Sequence, residues 1–257
     1  GDQMRAYLAF TKKELIEYTR NLKMFLAITL FALFGIMNPL TAKFMPELLG
    51  NFMPEGITIL ITEPTNLDSW LQFFKNGTQI GLFIIVILLS GMMAKEYEKG
   101  TLINMVTKGL PRWTILFSKF TGALLLWTIS YWLCFFITLG YTLYYFPEGT
   151  TENLTLSVIS LYLFGILLIA VLLLGSVLFK NAYGPLLLIG AFLLVLFLWN
   201  LFPEAAEWNP LVLVSRNMDM LQGTLLLEDL LNPLLITGLI IASSLFTAGK
   251  LFSKTTL

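Results

Sequence analysis

Six stretches of this chain contain no Asp, Glu, Lys or Arg: 24–42, 76–94, 120–147, 153–179, 181–203 and 230–249. A helix needs about 20 apolar residues to cross a hydrocarbon core of about 30 Å, and each window meets or approaches that length. Within a bilayer only helices and closed barrels satisfy their own backbone hydrogen bonds. The windows are Leu-rich and show no period-two alternation, so helices are expected. The predicted fold class is an all-α polytopic membrane protein with six transmembrane helices. Composition agrees: 57% of residues are hydrophobic and 12% are charged, whereas soluble chains carry about 25% charge. A single transmembrane domain over 1–257 is expected. So is a retained first span, because its apolar run starts at Met24, after a long charged segment.

The distribution of cations predicts orientation. Six crossings put both termini on one side. That side would hold thirteen of the sixteen Lys and Arg residues, leaving Lys43, Lys75 and Arg216 on the other. Both termini are therefore expected in the cytoplasm. Before the first window, 4–22 reads as an amphipathic helix lying in the membrane plane. Met4, Tyr7, Leu8, Thr11, Leu15, Tyr18 and Leu22 share one side of it, and Lys12, Lys13, Glu17 and Arg20 point elsewhere. Residues 43–75 read as an outer loop. Gly77-Thr78-Gln79-Ile80-Gly81 is a small-xxx-small pattern permitting close helix contact. Residues 204–229 are apolar enough to dip into the outer leaflet but too short to cross, and a re-entrant or interfacial segment is expected there.

Between the second and third windows lies a polar island. It runs from Lys95-Glu96-Tyr97-Glu98-Lys99-Gly100-Thr101-Leu102 through Met105, Lys108-Gly109 and Pro111-Arg112 to Lys119. A short helix fits inside it, stopped at Lys108-Gly109. Pro111 suits the first turn of the next helix. The result is a small charged projection joining two spans on the cytoplasmic side.

The chain has no His and one Cys, Cys134. Intrachain disulfides, His-based triads and His/Cys zinc sites are excluded. No phosphate-binding Gly-rich loop with Gly-Lys-Ser/Thr is present. The spans hold no Asp, Glu, Lys or Arg, which argues against proton-coupled transport. No metal or catalytic residue is expected.

The interfacial N-terminal helix, the six spans and the island resemble the ABC-2 type permeases of ABC transporters. The island carries an acidic residue (Glu96 or Glu98) before Gly100-Thr101, an apolar helix, Pro111, and Lys119 at the head of the third span. Asn209-Pro210 before the last span also fits. The resemblance implies a bacterial plasma-membrane permease domain with a coupling helix formed by Glu96, Glu98, Lys99, Gly100, Thr101, Leu102, Met105 and Arg112. It implies a second contact through the interfacial helix at Lys12, Lys13 and Glu17. Asn38, Pro39, Gly77, Gly81, Trp199 and Asn200 become candidates for the pathway or a dimer interface. The expected partners are two cytosolic ABC ATPase subunits, a second copy of this chain and the lipid bilayer, with no nucleic acid. ATP and Mg would sit on the ATPase, and this chain would bind no cofactor. The expected activity is export of a hydrophobic or amphipathic substrate, a peptide or toxin first and a lipid or drug second. The aromatics Trp127, Trp132, Phe135, Phe136 and Trp199 are available to a pathway. Two other readings stay open at this level: a non-transporting immunity or sensor protein, and an ion-coupled secondary carrier.

Overall fold

The computed structural model describes residues 2–52 and 63–254. In chain order the helices are α1 (Asp2–Arg20), α2 (Lys23–Asn51), α3 (Asn66–Asn76), α4 (Leu82–Leu89), α5 (Ala94–Glu98), α6 (Thr101–Thr107), α7 (Arg112–Tyr145), α8 (Leu154–Phe179), α9 (Tyr183–Trp199), α10 (Pro203–Ala206), α11 (Val212–Ser215), α12 (Asn217–Leu221) and α13 (Leu227–Lys254). Gly77–Gly81 forms a π-turn between α3 and α4. Among the described residues five helices are long and apolar enough to cross a membrane: α2, the rod Asn66–Glu98, α7, α8 and α13. The 181–203 window forms a shorter apolar helix, α9, of 17 residues, or about 25 Å at 1.5 Å per residue.

The helices overrun the charge-free windows. α2 continues through Lys43 and Pro46 to Asn51, and the second rod begins at Asn66. Both ends of the expected loop 43–75 are therefore helical, up to Asn51 and from Asn66, and Pro54 lies outside the described residues. A single charge ends an apolar window but does not break a helix: Lys43 swings over the Phe146 ring at 5.7 Å. α3 starts where the Asp68 carboxylate accepts from the Thr65 N–H at 2.7 Å, the N-terminal half of a capping box. Its Trp70, Phe73 and Phe74 are buried.

α8 is the central helix, with 72% of its most apolar stretch buried against 22% for α13 and 28% for α2. The Trp127 indole of α7 lies flush on Gly165 of α8, and its N–H donates to the Tyr162 carbonyl at 3.1 Å. A side chain at 165 would collide with that ring. Trp127 is thus a packing element, fully buried within the chain.

Residues 204–229 form three short helices rather than one plain loop. α11 and α12 fold against α8, where Ser157 Oγ donates to the Asn217 carbonyl at 3.0 Å. Asn209 closes α9: its Nδ2 donates to the Leu196 carbonyl and to Asn200 Oδ1, both at 2.7 Å. Leu211, Leu213, Met220 and Leu221 are buried, which accounts for the apolar character of this stretch.

Candidate functional site

α1 crosses α7 rather than running along it. Tyr7 Oη meets Thr121 Oγ1 at 2.6 Å, the Tyr7 carbonyl accepts from Ser118 Oγ at 3.3 Å, and Glu14 and Tyr18 both close on Gly122. Contacts from Tyr7 to Tyr18 of α1 thus fall within residues 118–122 of α7. Gly122 permits the approach, since a Cβ there would stand 3.1 Å from the Glu14 Cβ.

The crossing buries an ion cluster. Lys119 Nζ lies 2.9 Å from Glu14 Oε2 and 2.7 Å from Glu96 Oε2, with side-chain exposures of 2% for Lys119, 1% for Glu14 and 7% for Glu96. The Glu14 contact is a hydrogen bond. The Glu96 Oε2 contact lacks hydrogen-bond geometry and acts through charge at short range. Lys13 completes the ring at 2.9 Å from Glu14, 3.0 Å from Glu17 and 2.7 Å from Glu96. Three elements distant in sequence, α1, α5 and the head of α7, are therefore pinned to one another by opposite charges out of water. Breaking one member of such a set costs about 3–5 kcal/mol, because its partner is left buried and unpaired.

Burial alone would lower the Lys13 pKa. The hydrogen bond and charge of Glu96, with those of Glu14, outweigh it and hold Lys13 above the ordinary lysine value. Burial would raise Glu17, but the Lys13 hydrogen bond and the charges of Lys119, Lys13 and Lys95 hold its carboxyl below the ordinary value. Tyr18, buried beside the cluster, is pushed well up by desolvation and by the charges of Glu14, Glu17 and Glu96. Oxygens of Glu14, Glu17 and Glu96 come within 4.8 Å of one another, a spacing that suits a metal cation. Two ammonium groups already occupy that role.

After α5 the chain turns into a second short helix, α6. Gly100 takes φ +62°, with open space around its Cα, and turns α5 into α6. α6 ends in a Schellman motif: the Leu110 N–H donates to the Met105 carbonyl at 3.1 Å and the Gly109 N–H to the Val106 carbonyl at 3.0 Å, with Gly109 at φ +85°. Leu102 is buried and anchors the helix, Met105 is half-buried, and Ile103, Asn104, Thr107 and Lys108 are exposed. Thr101 Oγ1 donates to the Glu96 carbonyl at 3.4 Å. Glu98 and Lys99 are exposed, whereas Glu96 turns inward. Arg112 does not project outward: its guanidinium donates to the Phe252 carbonyl at 2.6 Å and lies 5.9 Å from the Phe252 ring. The neighbouring Trp113 indole lies directly on Gly249. The C-terminal turn of α13 is thus fastened to the head of α7.

The remaining predicted residues separate. Lys13 and Glu17 belong to the ion cluster, and Lys12 is exposed on another face of α1. The predicted apolar side of α1 divides: Tyr18 and Thr11 are buried, while Met4, Leu8 and Leu22 are exposed. Asn38 and Pro39 are buried inside the chain, with Asn38 Oδ1 accepting from Asn76 Nδ2 at 2.8 Å. Gly77 and Gly81 admit Leu161 and Phe31 of this same chain, so their small size serves intrachain packing. Trp199 Nε1 donates to the Ala205 carbonyl at 2.8 Å, and Asn200 is exposed. Glu14 was not identifiable as a site residue from composition. Its one signal is its place in line with Tyr7, Thr11 and Tyr18 at steps of three and four, a lone acid on a buried helix face.

The model of the family described as "ABC-2 family transporter protein" matches residues 8–234. The chain is also similar to the uncharacterized transmembrane protein YxlG of Bacillus subtilis (strain 168), with 22% identity over 210 residues, covering 80% of this chain and 81% of the relative. The matched span includes α1 from residue 8 onward, the ion cluster, α5 and α6, and the residues through the start of α13. This chain belongs to the ABC-2 family of transporter proteins.

Proposed function

We propose that this chain is the permease subunit of an ATP-driven exporter, with six crossings, both termini cytoplasmic, and α6 serving as the coupling helix. The orientation is supported by contacts that gather the cation-rich segments at one end. The Lys119 cluster, Arg112 on Phe252, and Lys180 over the Tyr97 ring at 5.5 Å all lie there. α9 would be the fifth crossing, and α10–α12 a re-entrant cap in the outer leaflet. α1 would lie in the membrane plane, as its crossing of α7 favours.

The observation that carries the proposal is Lys119 bound at once to Glu14 and Glu96. A cytosolic ATPase seated on the exposed face of α6 would move α5 with it through the short Gly100 turn. The ion cluster would pass that displacement to α7 and α1 instead of letting it relax locally. The Arg112–Phe252 fastening would carry it into α13. Two such chains, paired in the bilayer over two ATPases holding ATP and Mg, would open an outward route for an apolar or amphipathic substrate. A peptide or toxin is the first expectation, and a lipid or drug the second. The large exposed apolar surface of α9, with Leu187, Leu194, Val195 and Phe197 more than half exposed, is compatible with pairing in lipid.

Affinity purification of the full chain co-expressed with a candidate cytosolic ABC ATPase subunit tests this reading. The complex is expected to form and to be lost on combining Lys99→Glu with Ile103→Glu, both on exposed positions. Retention of the complex by that variant would refute the assignment of α6. Labelling of a cysteine placed at Lys108 from outside intact cells would overturn the orientation.

A further inference from the structure

A groove of about 300 Å³ opens between α1, α2 and α7 on the side of α1 away from the ion cluster. Its walls are Leu15 and Ile16 of α1, Met24 of α2, and Leu125 and Ile129 of α7, with Lys12 and Thr19 also contributing. Ile16 and Ile129 are 43% and 40% exposed within the chain. The groove has a direction. Leu125 and Ile129 lie six and ten residues past Lys119 on α7, which is about 9 and 15 Å along a helix axis. The cleft therefore descends from the charged layer by about half of a 30 Å hydrocarbon core. Among the described residues Lys12 has no ion-pair partner, although Lys13 beside it is bound to three carboxylates.

An apolar slot of that depth, with one uncommitted cation among the residues lining it, matches a chain-bearing anion. The aliphatic stem of Lys12 can lie along the apolar wall while its ammonium stays at the polar boundary. We propose that the groove is a binding site for an anionic phospholipid: one acyl chain lies against Leu125 and Ile129, and the phosphate faces Lys12. A zwitterionic lipid would offer the same chain but would set its own cation against Lys12. The site uses the membrane placement of α1 and is independent of the ATPase reading, so either can fail alone.

The test is native mass spectrometry of the intact chain in detergent, titrated with palmitoyl-oleoyl phosphatidylglycerol or with the phosphatidylcholine of the same chains. Phosphatidylglycerol is expected to bind more tightly. Lys12→Gln should weaken it about fivefold, the contribution of one basic residue near an anionic surface, and Lys12→Arg should restore it. Ile129→Trp, which fills the slot at a half-exposed position, should weaken both lipids. Arg5→Gln removes an exposed α1 cation that does not line the groove and should change nothing. Equal binding of the two lipids, or equal losses from Arg5→Gln and Lys12→Gln, would overturn the site in favour of diffuse attraction. Displacement of the lipid by millimolar inorganic phosphate would overturn the role of the chain.

Discussion

Lys119→Met gives the sharpest test of the ion cluster. Methionine keeps most of the volume and removes the ammonium, leaving Glu14 and Glu96 buried at 1% and 7% side-chain exposure. Loss of one partner of a buried pair costs about 3–5 kcal/mol. Lys13 remains 2.9 Å from Glu14 and 2.7 Å from Glu96, so the lower end, about 3 kcal/mol, is expected. For a chain of this size about 1 kcal/mol shifts Tm by about 2–4 °C. The variant should therefore melt about 6–12 °C lower by intrinsic-fluorescence scanning in detergent. Lys13→Met should cost less, because water screens its 41% exposed side chain. Neutralising the whole buried set (Glu14→Gln, Glu96→Gln, Lys119→Met) should recover most of the loss, since replacing every member removes the unpaired charge. Under the proposed function the same triple variant should assemble with its ATPase yet fail to couple hydrolysis to transport. A Lys119→Met Tm within a degree of the parent, or a triple variant less stable than the single, would refute the reasoning.

Other outcomes follow from the same contacts. Gly249→Leu would drive a side chain into the Trp113 indole, and overpacking of this kind costs about 1–3 kcal/mol, readable as a lowered Tm and faster proteolysis of the C-terminal turn. Gly100→Ala meets no neighbour but must adopt φ +62°, so about 1–2 kcal/mol of local strain is expected with the bundle intact. Its effect should appear in amide exchange of α6 before it appears in global melting. The Glu17 carboxyl is held below its ordinary value of 4.5, so its contribution is present above that pH and is lost as pH falls through the depressed value. The stability difference between the parent and Glu17→Gln should accordingly shrink on acidification below about pH 4. Lys13 is raised, so its contribution stays complete up to the ordinary lysine range and fades only above it, and neutral pH should leave the cluster unaffected.

Much of the architecture was legible in one dimension. Lipid imposes a length and a charge rule on any crossing helix, and both can be read from a window of residues. α8 follows its window within a residue, 153–179 against Leu154–Phe179, because no charge interrupts it and turns bound it. The glycine that ends α6 was readable for a similar local reason: Gly109 has the left-handed φ that stops a helix. α2 and α3 ran past expectation because Lys43 and Lys75 closed their windows without closing their helices.

The ion cluster belongs to tertiary structure alone. Nothing near Lys119 announces Glu14, which lies 105 residues away, and a lysine at the head of an apolar span ordinarily reads as an exposed anchor. Likewise the Gly77–Gly81 spacing announces close helix contact without naming the partner, and only the packed chain sets Leu161 and Phe31 against those glycines. Hydropathy is a property of each residue and its close neighbours, so the sequence alone marked which segments are apolar and long enough to cross a bilayer and where along the chain the charges gather. Pairing energy depends on distance in space, so only the packed chain decided which of those charges meet and which are sealed from water.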